Sequence, residues 1–240
     1  MSLVTVSRGV EQAPPGPARH RVDPSTIALW QLNGDGLDSG PNGLDLNENG
    51  TVPHVLVGAP GLTAEQAQGQ FSDTDYWGKT DAGLIHVGDL TMMCMVRRET
   101  LGANPNVILR QGGAGLTEPE NTIYRLAIQP DGVVRYRSQD GAANNSDVDS
   151  VTTLNQGQWY HVAVVRTTGN VKIYINGTED VDGAITDPTG GGNSFLRLGR
   201  ANDANRFYNG YVGSLHVLSR ALSGVEILAE ANRLLPDWDY

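Results

Sequence analysis

Two short segments of this sequence contain carboxylates whose spacing could support a chemical reaction. Two carboxylates that flank a glycosidic bond can hydrolyse it, one as the acid and the other as nucleophile or base. The candidate pairs lie in Glu179–Asp182 and Glu118–Glu120. Neighbouring residues of the first segment point to opposite faces of an extended chain, and the second lies in a Gly- and Pro-rich stretch without a third carboxylate. We therefore predict that the chain is not an enzyme.

Calcium is the metal ion that the oxygen-rich segments could hold, because it prefers carboxylate and amide oxygens. The segment that begins at Asp140 does not follow the EF-hand pattern, since its twelfth residue is Val151. Asp, Asn and Gly are also ordinary turn residues, so calcium remains an open alternative. No other cofactor is predicted. The candidate calcium ligands are Asp73 and Asp75, and in a second group Asp140, Asn144, Asn145, Asp147 and Asp149.

An exposed aromatic ring beside amides and carboxylates would suit a carbohydrate. The aromatic candidates are Trp77, Tyr208 and Tyr211. The polar candidates lie in the neighbouring segment and are Asn202, Asp203, Asn205 and Arg206. The alternative is that these rings cover the edges of a sheet, where tyrosine and tryptophan are common.

The composition favours one large all-β domain. The 240 residues include 30 Gly and 12 Pro, which indicates many turns, and 39% are hydrophobic, which suits strands that bury one face. A net charge of −10 argues against binding to nucleic acid. We find neither a signal peptide nor a membrane-spanning segment, so we expect synthesis in the cytoplasm and no membrane insertion.

Residues 1–24 differ from the rest of the chain. They are rich in Pro and small residues and are expected to form an extended arm without a core of its own. Such an arm is either a free tail or a segment held by a neighbouring subunit. The residues assigned to subunit assembly are Pro14, Pro15, Pro17, Arg19 and Arg21.

A hairpin over residues 158–177 is the clearest local structure. Apolar residues alternate along both predicted strands, and Asn176-Gly177 favours a tight type I′ turn. Ser223 and Glu226 form a capping box that begins a helix, which we expect Pro236 to end. Residues 139–150 and 178–194 are predicted to be loops. About a dozen short strands with one terminal helix indicate a β-sandwich.

Several segments occur together in an order that is typical of one family. They are Ala28–Trp30 with Asp38–Gly43, Gln70–Tyr76, Leu90–Met92, Trp159–Ala163 with Tyr174–Gly177, and Phe207–Gly210 with Arg220–Ser223 and Glu226–Ile227. Over residues 25–235 the chain thus resembles the laminin-G-like, concanavalin A-like jelly-roll family. The resemblance implies a two-sheet antiparallel jelly-roll β-sandwich at residues 25–240, with one short C-terminal helix.

The sequence also departs from that family. Val212-Gly213-Ser214 stands where the family's closing strand usually carries Ile-Asp-Glu, and Met95 replaces an aromatic residue. The Glu-x-Asp-x-x-Glu spacing of the family's glycoside hydrolases is absent from the sequence.

These features predict a non-catalytic structural and recognition module. Our first hypothesis is a bacteriophage virion component, such as a tail, fibre or capsid-decorating subunit, located on the virion surface. It would be a homo-oligomer or bind other virion subunits, and could recognise a host-surface glycan, with residues 139–150 and 200–209 facing outward. The alternative is a stand-alone carbohydrate-binding lectin-like domain that could depend on calcium.

Overall fold

The computed structural model describes residues 20–32, 34–52, 54–56, 63–67, 76–80, 88–99, 104–113, 122–140, 144–188, 194–201, 206 and 208–238. These residues contain fifteen strands and one helix. They are β1 Thr26–Trp30, β2 Asn47–Asn49, β3 His54–Leu56, β4 Thr63–Ala67, β5 Tyr76–Thr80, β6 Leu90–Arg98, β7 Asn106–Gly113, β8 Thr122–Ile128, β9 Val133–Gln139, β10 Asn145–Thr153, β11 Trp159–Thr167, β12 Asn170–Ile175, β13 Thr178–Ala184, β14 Ser194–Leu198, β15 Gly210–Leu218 and α1 Gly224–Trp238.

The strands form two antiparallel sheets, which confirms the predicted jelly-roll sandwich. The eight-stranded sheet has the order β13-β12-β11-β6-β15-β4-β3, and β1 also pairs with β15. The seven-stranded sheet has the order β10-β9-β8-β7-β14-β5-β2. Alternate residues of both sheets fill the core between them, including Met92 and Cys94 of β6 and Leu126 of β8. Cys94 is fully buried, which raises its pKa to about 12, so this residue serves as a small core side chain.

The predicted hairpin is confirmed as β11 and β12. The two strands pair without a register shift from Val162 opposite Ile175 to Thr167 opposite Asn170. Asn176 and Gly177 have φ angles of 51° and 84°, the left-handed conformation that a type I′ turn requires. The side-chain oxygen of Asn176 accepts a hydrogen bond of 2.9 Å from the amide of His161, which fixes the turn on β11.

Helix α1 begins at the predicted capping box. The amide and the hydroxyl of Ser223 each donate to Glu226 at 2.8 Å. We predicted that the helix would end at Pro236, but it continues to Trp238. It continues because the buried ring of Trp238 lies 4.5 Å from that of Trp159, which stabilises the last turn. No helix in the described part of the chain is long and apolar enough to cross a membrane.

Two predicted loops contain strands. Residues 145–153, inside and just after the first polar segment, form β10 at the edge of the seven-stranded sheet. Residues 178–184, in the second, form β13 at the edge of the eight-stranded sheet. The loop predictions were wrong there because pairing with β9 and β12 outweighs the weak hydrophobic pattern of these polar segments.

Candidate functional site

The predicted aromatic platform is not formed by its three residues. Trp77 and Tyr208 are 6% and 0% exposed and belong to the core between the sheets. Tyr211 is half-buried on the eight-stranded sheet, where the guanidinium of Arg97 lies 5.2 Å from its ring. We correct the prediction accordingly, because two of the rings have their faces covered and the third lies on the other sheet.

Of the polar segment proposed to line that platform, the structure describes Arg206 and, just before the segment, Ala201. Asn202, Asp203 and Asn205 lie outside the described residues. The amide of Ala201 donates to the carbonyl of Arg206 at 2.9 Å, so these residues close the base of the segment. That base adjoins β14, since Arg197 also donates to the carbonyl of Ala201.

The candidate calcium ligands are in part engaged by protein groups. Asp73 and Asp75 lie outside the described residues. Asp140 accepts hydrogen bonds from the amide and side chain of Asn144, both at 2.9 Å. Asp147 pairs with Arg137 at 2.6 Å. Among the described residues, no group of three or more His, Cys, Asp and Glu side chains is arranged to hold a metal ion.

The predicted arm is described from His20 onward, and Pro14, Pro15, Pro17 and Arg19 lie outside that range. His20 is buried on the outer side of the eight-stranded sheet, and Asp23 pairs with Arg220 at 3.1 Å. Arg21 lines a pocket of about 270 Å³ between this segment and α1. The last residues of the arm therefore belong to the packed domain.

The carboxylates of β13 hold strands together. Lys172 lies between Glu179 and Asp182, at 2.9 and 3.1 Å. Asp180 accepts hydrogen bonds from the backbone of Val151 and Thr152 and so joins β13 to β10. These contacts give the segment a structural role.

A row of arginines crosses the outer face of the seven-stranded sheet. Arg137 pairs in register with Arg125, Arg125 with Arg110, and Arg110 with Arg197. Paired residues of neighbouring strands point to the same face, so the four side chains span about 14 Å. Arg110 and Arg125 are 0% and 2% exposed, whereas the row's end members Arg137 and Arg197 are half-buried. Four arginine side chains therefore lie next to one another on this face.

The two ends of this arginine row differ in their neighbours. At the β10 end, Arg137 pairs with Asp147 and Arg135 with Asp149, both at 2.6 Å. Burial acts to raise the pKa of Asp147, but hydrogen bonding to Arg137 and the nearby arginine charges lower it overall. The positive charge is thus partly neutralised at this end.

At the other end, guanidinium groups alternate with aromatic rings. Arg110 and Arg197 lie 5.0 and 4.7 Å from the ring centre of Phe195. Arg197 and Arg200 lie 5.0 and 5.1 Å from the ring centre of Tyr76. Guanidinium groups at these distances are attracted to the faces of the rings, which holds the five side chains together.

A pocket of about 220 Å³ opens beside this stack, between β2, β5 and β14. We call it the β5–β14 pocket; its lining includes Asn47, Asn49, Tyr76, Gly78, Phe195 and Arg197. A Cβ atom on Gly78 would lie 2.7 Å from the Tyr76 ring, so the glycine allows this ring to lie close to the sheet. Asn47 pairs with Gly78 and Asn49 with Tyr76. The pocket therefore combines amides, an aromatic ring and a guanidinium group.

The sequence analysis proposed Trp77 of β5 as the exposed ring, but the ring at the pocket is that of the preceding residue, Tyr76. Trp77 faces the core, so the neighbouring Tyr76 faces outward, as the alternation of a strand requires. Arg110, Arg125 and Arg197 are buried or half-buried arginines that follow apolar residues in their strands. That pattern is visible in the sequence, but the order of the strands that brings these side chains together is not.

The comparisons with known proteins agree with the fold. Residues 71–228 match the Laminin_G_3 family, described as the concanavalin A-like lectin/glucanases superfamily. Because this match covers more than half of the chain, the protein belongs to that superfamily. No sequence among curated proteins matches the chain.

Similar solved structures include binding domains. One is domain 4 of AbnA, a GH43 extracellular arabinanase from Geobacillus stearothermophilus, in complex with arabinotriose. Its TM-score is 0.67 and its sequence identity 22%, and the match covers 86% of this chain and 98% of that chain. The binding domain of botulinum neurotoxin serotype G has a TM-score of 0.65 and 14% identity, covering 86% of this chain and 50% of the toxin chain. At these identities the likeness establishes the fold alone.

Proposed function

We propose that the protein is a non-catalytic recognition module that binds a glycan in the β5–β14 pocket. The observation that carries this proposal is the combination of the Tyr76 ring, the amides of Asn47 and Asn49 and the guanidinium of Arg197 around one opening. Binding sites of small ligands generally join apolar surface to a few well-placed polar groups.

The chemistry of the lining suits a sugar. The C–H face of a sugar ring is apolar and can lie against the exposed part of the half-buried Tyr76 ring, beside Arg197 and Arg200. Its hydroxyl groups can exchange hydrogen bonds with the amides and the guanidinium of Arg197. Asn47 is exposed and Asn49 half-buried, so both amides are accessible from solvent. The arabinotriose complex of a similar domain supports a glycan as ligand, although its low identity leaves the sugar to experiment.

The proposal of a module without catalysis rests on the carboxylates. Glu179 and Asp182 both pair with Lys172, and Asp180 joins two strands. The carboxylates whose spacing comes nearest to a catalytic one therefore stabilise the fold. We expect that any glycan bound by the protein is recovered intact after prolonged incubation, as judged by chromatography of the oligosaccharide.

A panel of immobilised oligosaccharides tests the proposed function. We expect the protein to bind at least one member, and Tyr76→Ala to lose about tenfold or more in affinity, because stacking on the ring is removed. Tyr211→Ala is the matched control, since it removes a tyrosine from the other sheet, and it should bind as the wild type does. Binding that is unaffected by Tyr76→Ala would refute this site.

We further propose that the module acts as a virion subunit attached through its N-terminal arm. In support, the chain enters the described fold at His20, on the outer side of the eight-stranded sheet, while the β5–β14 pocket lies on the outer side of the other sheet. A subunit held at the first side would present the pocket to its surroundings. A stand-alone lectin-like domain is the alternative.

A further inference from the structure

We propose that three buried histidines form an acid-sensitive switch. When neutral they hold residues 20–22 on the outer face of the eight-stranded sheet, and when protonated they release these residues while the sandwich stays folded. The histidines are His20 of the N-terminal segment, His161 of β11 and His216 of β15, and we call them the histidine cluster. The cluster and the β5–β14 pocket lie on opposite sides of the sandwich, so this inference is independent of the proposed glycan binding.

The imidazole of His20 lies close to the imidazoles of both strands. Its ring centre is 5.8 Å from that of His161 and 5.5 Å from that of His216. All three side chains are buried, but His216 also lines the pocket of about 270 Å³ between the N-terminal segment and α1. Protons therefore have a route to the cluster through that pocket.

In the described part of the chain, the charged side chains that act on the cluster already form ion pairs. On α1, Glu230 lies 3.4 Å from Nδ1 of His20 and also pairs with Arg233. On the β15 side, Asp23 of the N-terminal segment pairs with Arg220 at 3.1 Å. Each carboxylate thus has a guanidinium partner, and the two pairs together carry no net negative charge that could offset three protonated imidazoles.

Burial also disfavours protonation of the cluster in place. Among the described residues, neither ring nitrogen of His161 has a hydrogen-bond partner, and both would be donors in the protonated ring. Burial lowers the pKa of His161 and His216 to about 3, and the charge of His20 adds to this effect. For His20, burial lowers the pKa against the influence of Glu230. Below pH 6.5, protons therefore favour a conformation in which the three rings separate and reach water.

Residues 20–22 are the part of these surroundings that is held most weakly. They belong to no strand or helix, and His20 is their one buried side chain. Burial acts to raise the pKa of Asp23, but hydrogen bonds from Ser25 and Arg220 lower it overall, so its ion pair persists in mild acid. The chain is therefore fixed from Asp23 onward, and the release stops at that residue.

A fluorescent label at position 21 of the full chain measures the release. Cys94 is buried and burial raises its pKa to about 12, so a pH-insensitive thiol dye reacts with Arg21→Cys alone. We expect the anisotropy of the dye to fall between pH 6.5 and about pH 4, while the near-ultraviolet circular dichroism of the sandwich is unchanged. Since the release takes up about two to three protons, the ratio of released to bound segment should rise about 100- to 1,000-fold per pH unit.

Two variants of the labelled chain should move the midpoint of the release in opposite directions. His161→Leu removes one proton-binding group, so the midpoint should fall by about half a pH unit and the release should take up one proton fewer. Glu230→Gln removes the carboxylate that favours a charged His20, so its midpoint should rise. Glu48→Gln is the matched control, because this carboxylate is on the other sheet and glutamine still accepts from the amide of Val52.

The two signals distinguish the switch from ordinary acid unfolding. If the anisotropy and the circular dichroism change at the same pH, the sandwich unfolds as one unit and the switch is overturned. An anisotropy that stays constant down to about pH 4 would also overturn it. So would a midpoint in Glu230→Gln that equals the wild-type value, and this test remains decisive even if His161→Leu does not fold.

Discussion

Gly213 on β15 lies where the end of helix α1 meets the eight-stranded sheet. A Cβ atom at this position would be 2.4 Å from Cη2 of Trp238, closer than two non-bonded carbon atoms approach. Trp238 is itself 0% exposed and packs with Trp159 and Met95. The small residue in Val212-Gly213-Ser214, where related chains usually carry acidic ones, thus makes room for the tryptophan.

We predict that Gly213→Ala lowers the free energy of unfolding by about 1–3 kcal/mol, the usual cost of overpacking a well-filled site. Urea denaturation measures this change. Gly224→Ala is the control, since its Cβ would be 3.6 Å from the nearest atom, on Tyr174, and alanine suits a helix. The two variants should therefore differ clearly.

A double-mutant cycle identifies the cause of the loss. In a Trp238→Leu background the cost of Gly213→Ala should shrink, because the clashing ring is gone. If Gly213→Ala costs the same with either residue at position 238, the contact with the tryptophan does not explain the glycine.

At the scale of elements, three histidines join the N-terminal segment, β11 and β15 beneath helix α1. The ring of His20 lies 5.8 Å from that of His161 and 5.5 Å from that of His216. All three are at most 3% exposed. His20 Nδ1 lies 3.4 Å from Glu230 of the helix, and His216 Nε2 lies 2.9 Å from the Thr26 hydroxyl.

Burial lowers the pKa of each imidazole. It lowers the pKa of His161 and His216 to about 3, with the charge of His20 adding to the effect. For His20, burial outweighs the opposing influence of Glu230. The unfolded chain consequently binds more protons than the folded chain below pH 6.5, the ordinary imidazole pKa. The stability that comes from keeping these histidines neutral is fully present above pH 6.5 and is lost as the pH falls towards about 3.

We predict a marked fall in stability between pH 7 and pH 5, to which His161 and His216 each contribute about 2 kcal/mol at pH 5. Urea denaturation at several pH values measures the slope. His161→Leu removes one titrating group and should reduce the loss of stability between pH 7 and pH 5 by about 2 kcal/mol. Tyr174→Phe changes a residue near the same helix that does not titrate in this range, so its slope should match the wild type. An unchanged slope in His161→Leu would mean that His161 is protonated in the folded protein.

Local elements of the fold were predictable where a single segment carries the signal. Asn176-Gly177 specifies its turn and Ser223 with Glu226 specifies a helix start, and both were confirmed. The edge strands β10 and β13 were missed because their stability comes from pairing with a neighbour and from contacts such as Asp180 with Thr152. The β5–β14 pocket was missed for a related reason: β5 and β14 are more than a hundred residues apart, so their pairing is not local.

At the scale of the whole molecule, the two outer faces of the sandwich carry different features. Helix α1 and residues 20–24 cover the eight-stranded sheet, and the seven-stranded sheet carries the arginine row and the β5–β14 pocket. Assembly through the first face would leave the second free to bind a ligand.

The arm hypothesis predicts that removal of residues 1–19 lowers the native mass of the protein. The truncation begins at His20 because that residue is buried in the domain, and a shorter chain would lose stability as well. We expect an oligomer for residues 1–240 and a monomer for residues 20–240, measured by light scattering after size exclusion. Equal masses for the two chains would contradict a role of the arm in self-assembly.

A nuclear magnetic resonance titration with trigalacturonic acid and arabinotriose tests the central claim most directly, because it locates the ligand as well as detecting it. Glycan binding in the β5–β14 pocket predicts that backbone amide signals of Tyr76–Thr80 and Ser194–Leu198 shift with at least one of the two, while those of Trp159–Thr167 on the other sheet stay in place. Shifts confined to β11 or to residues near Asp140, or none with either oligosaccharide, would contradict it.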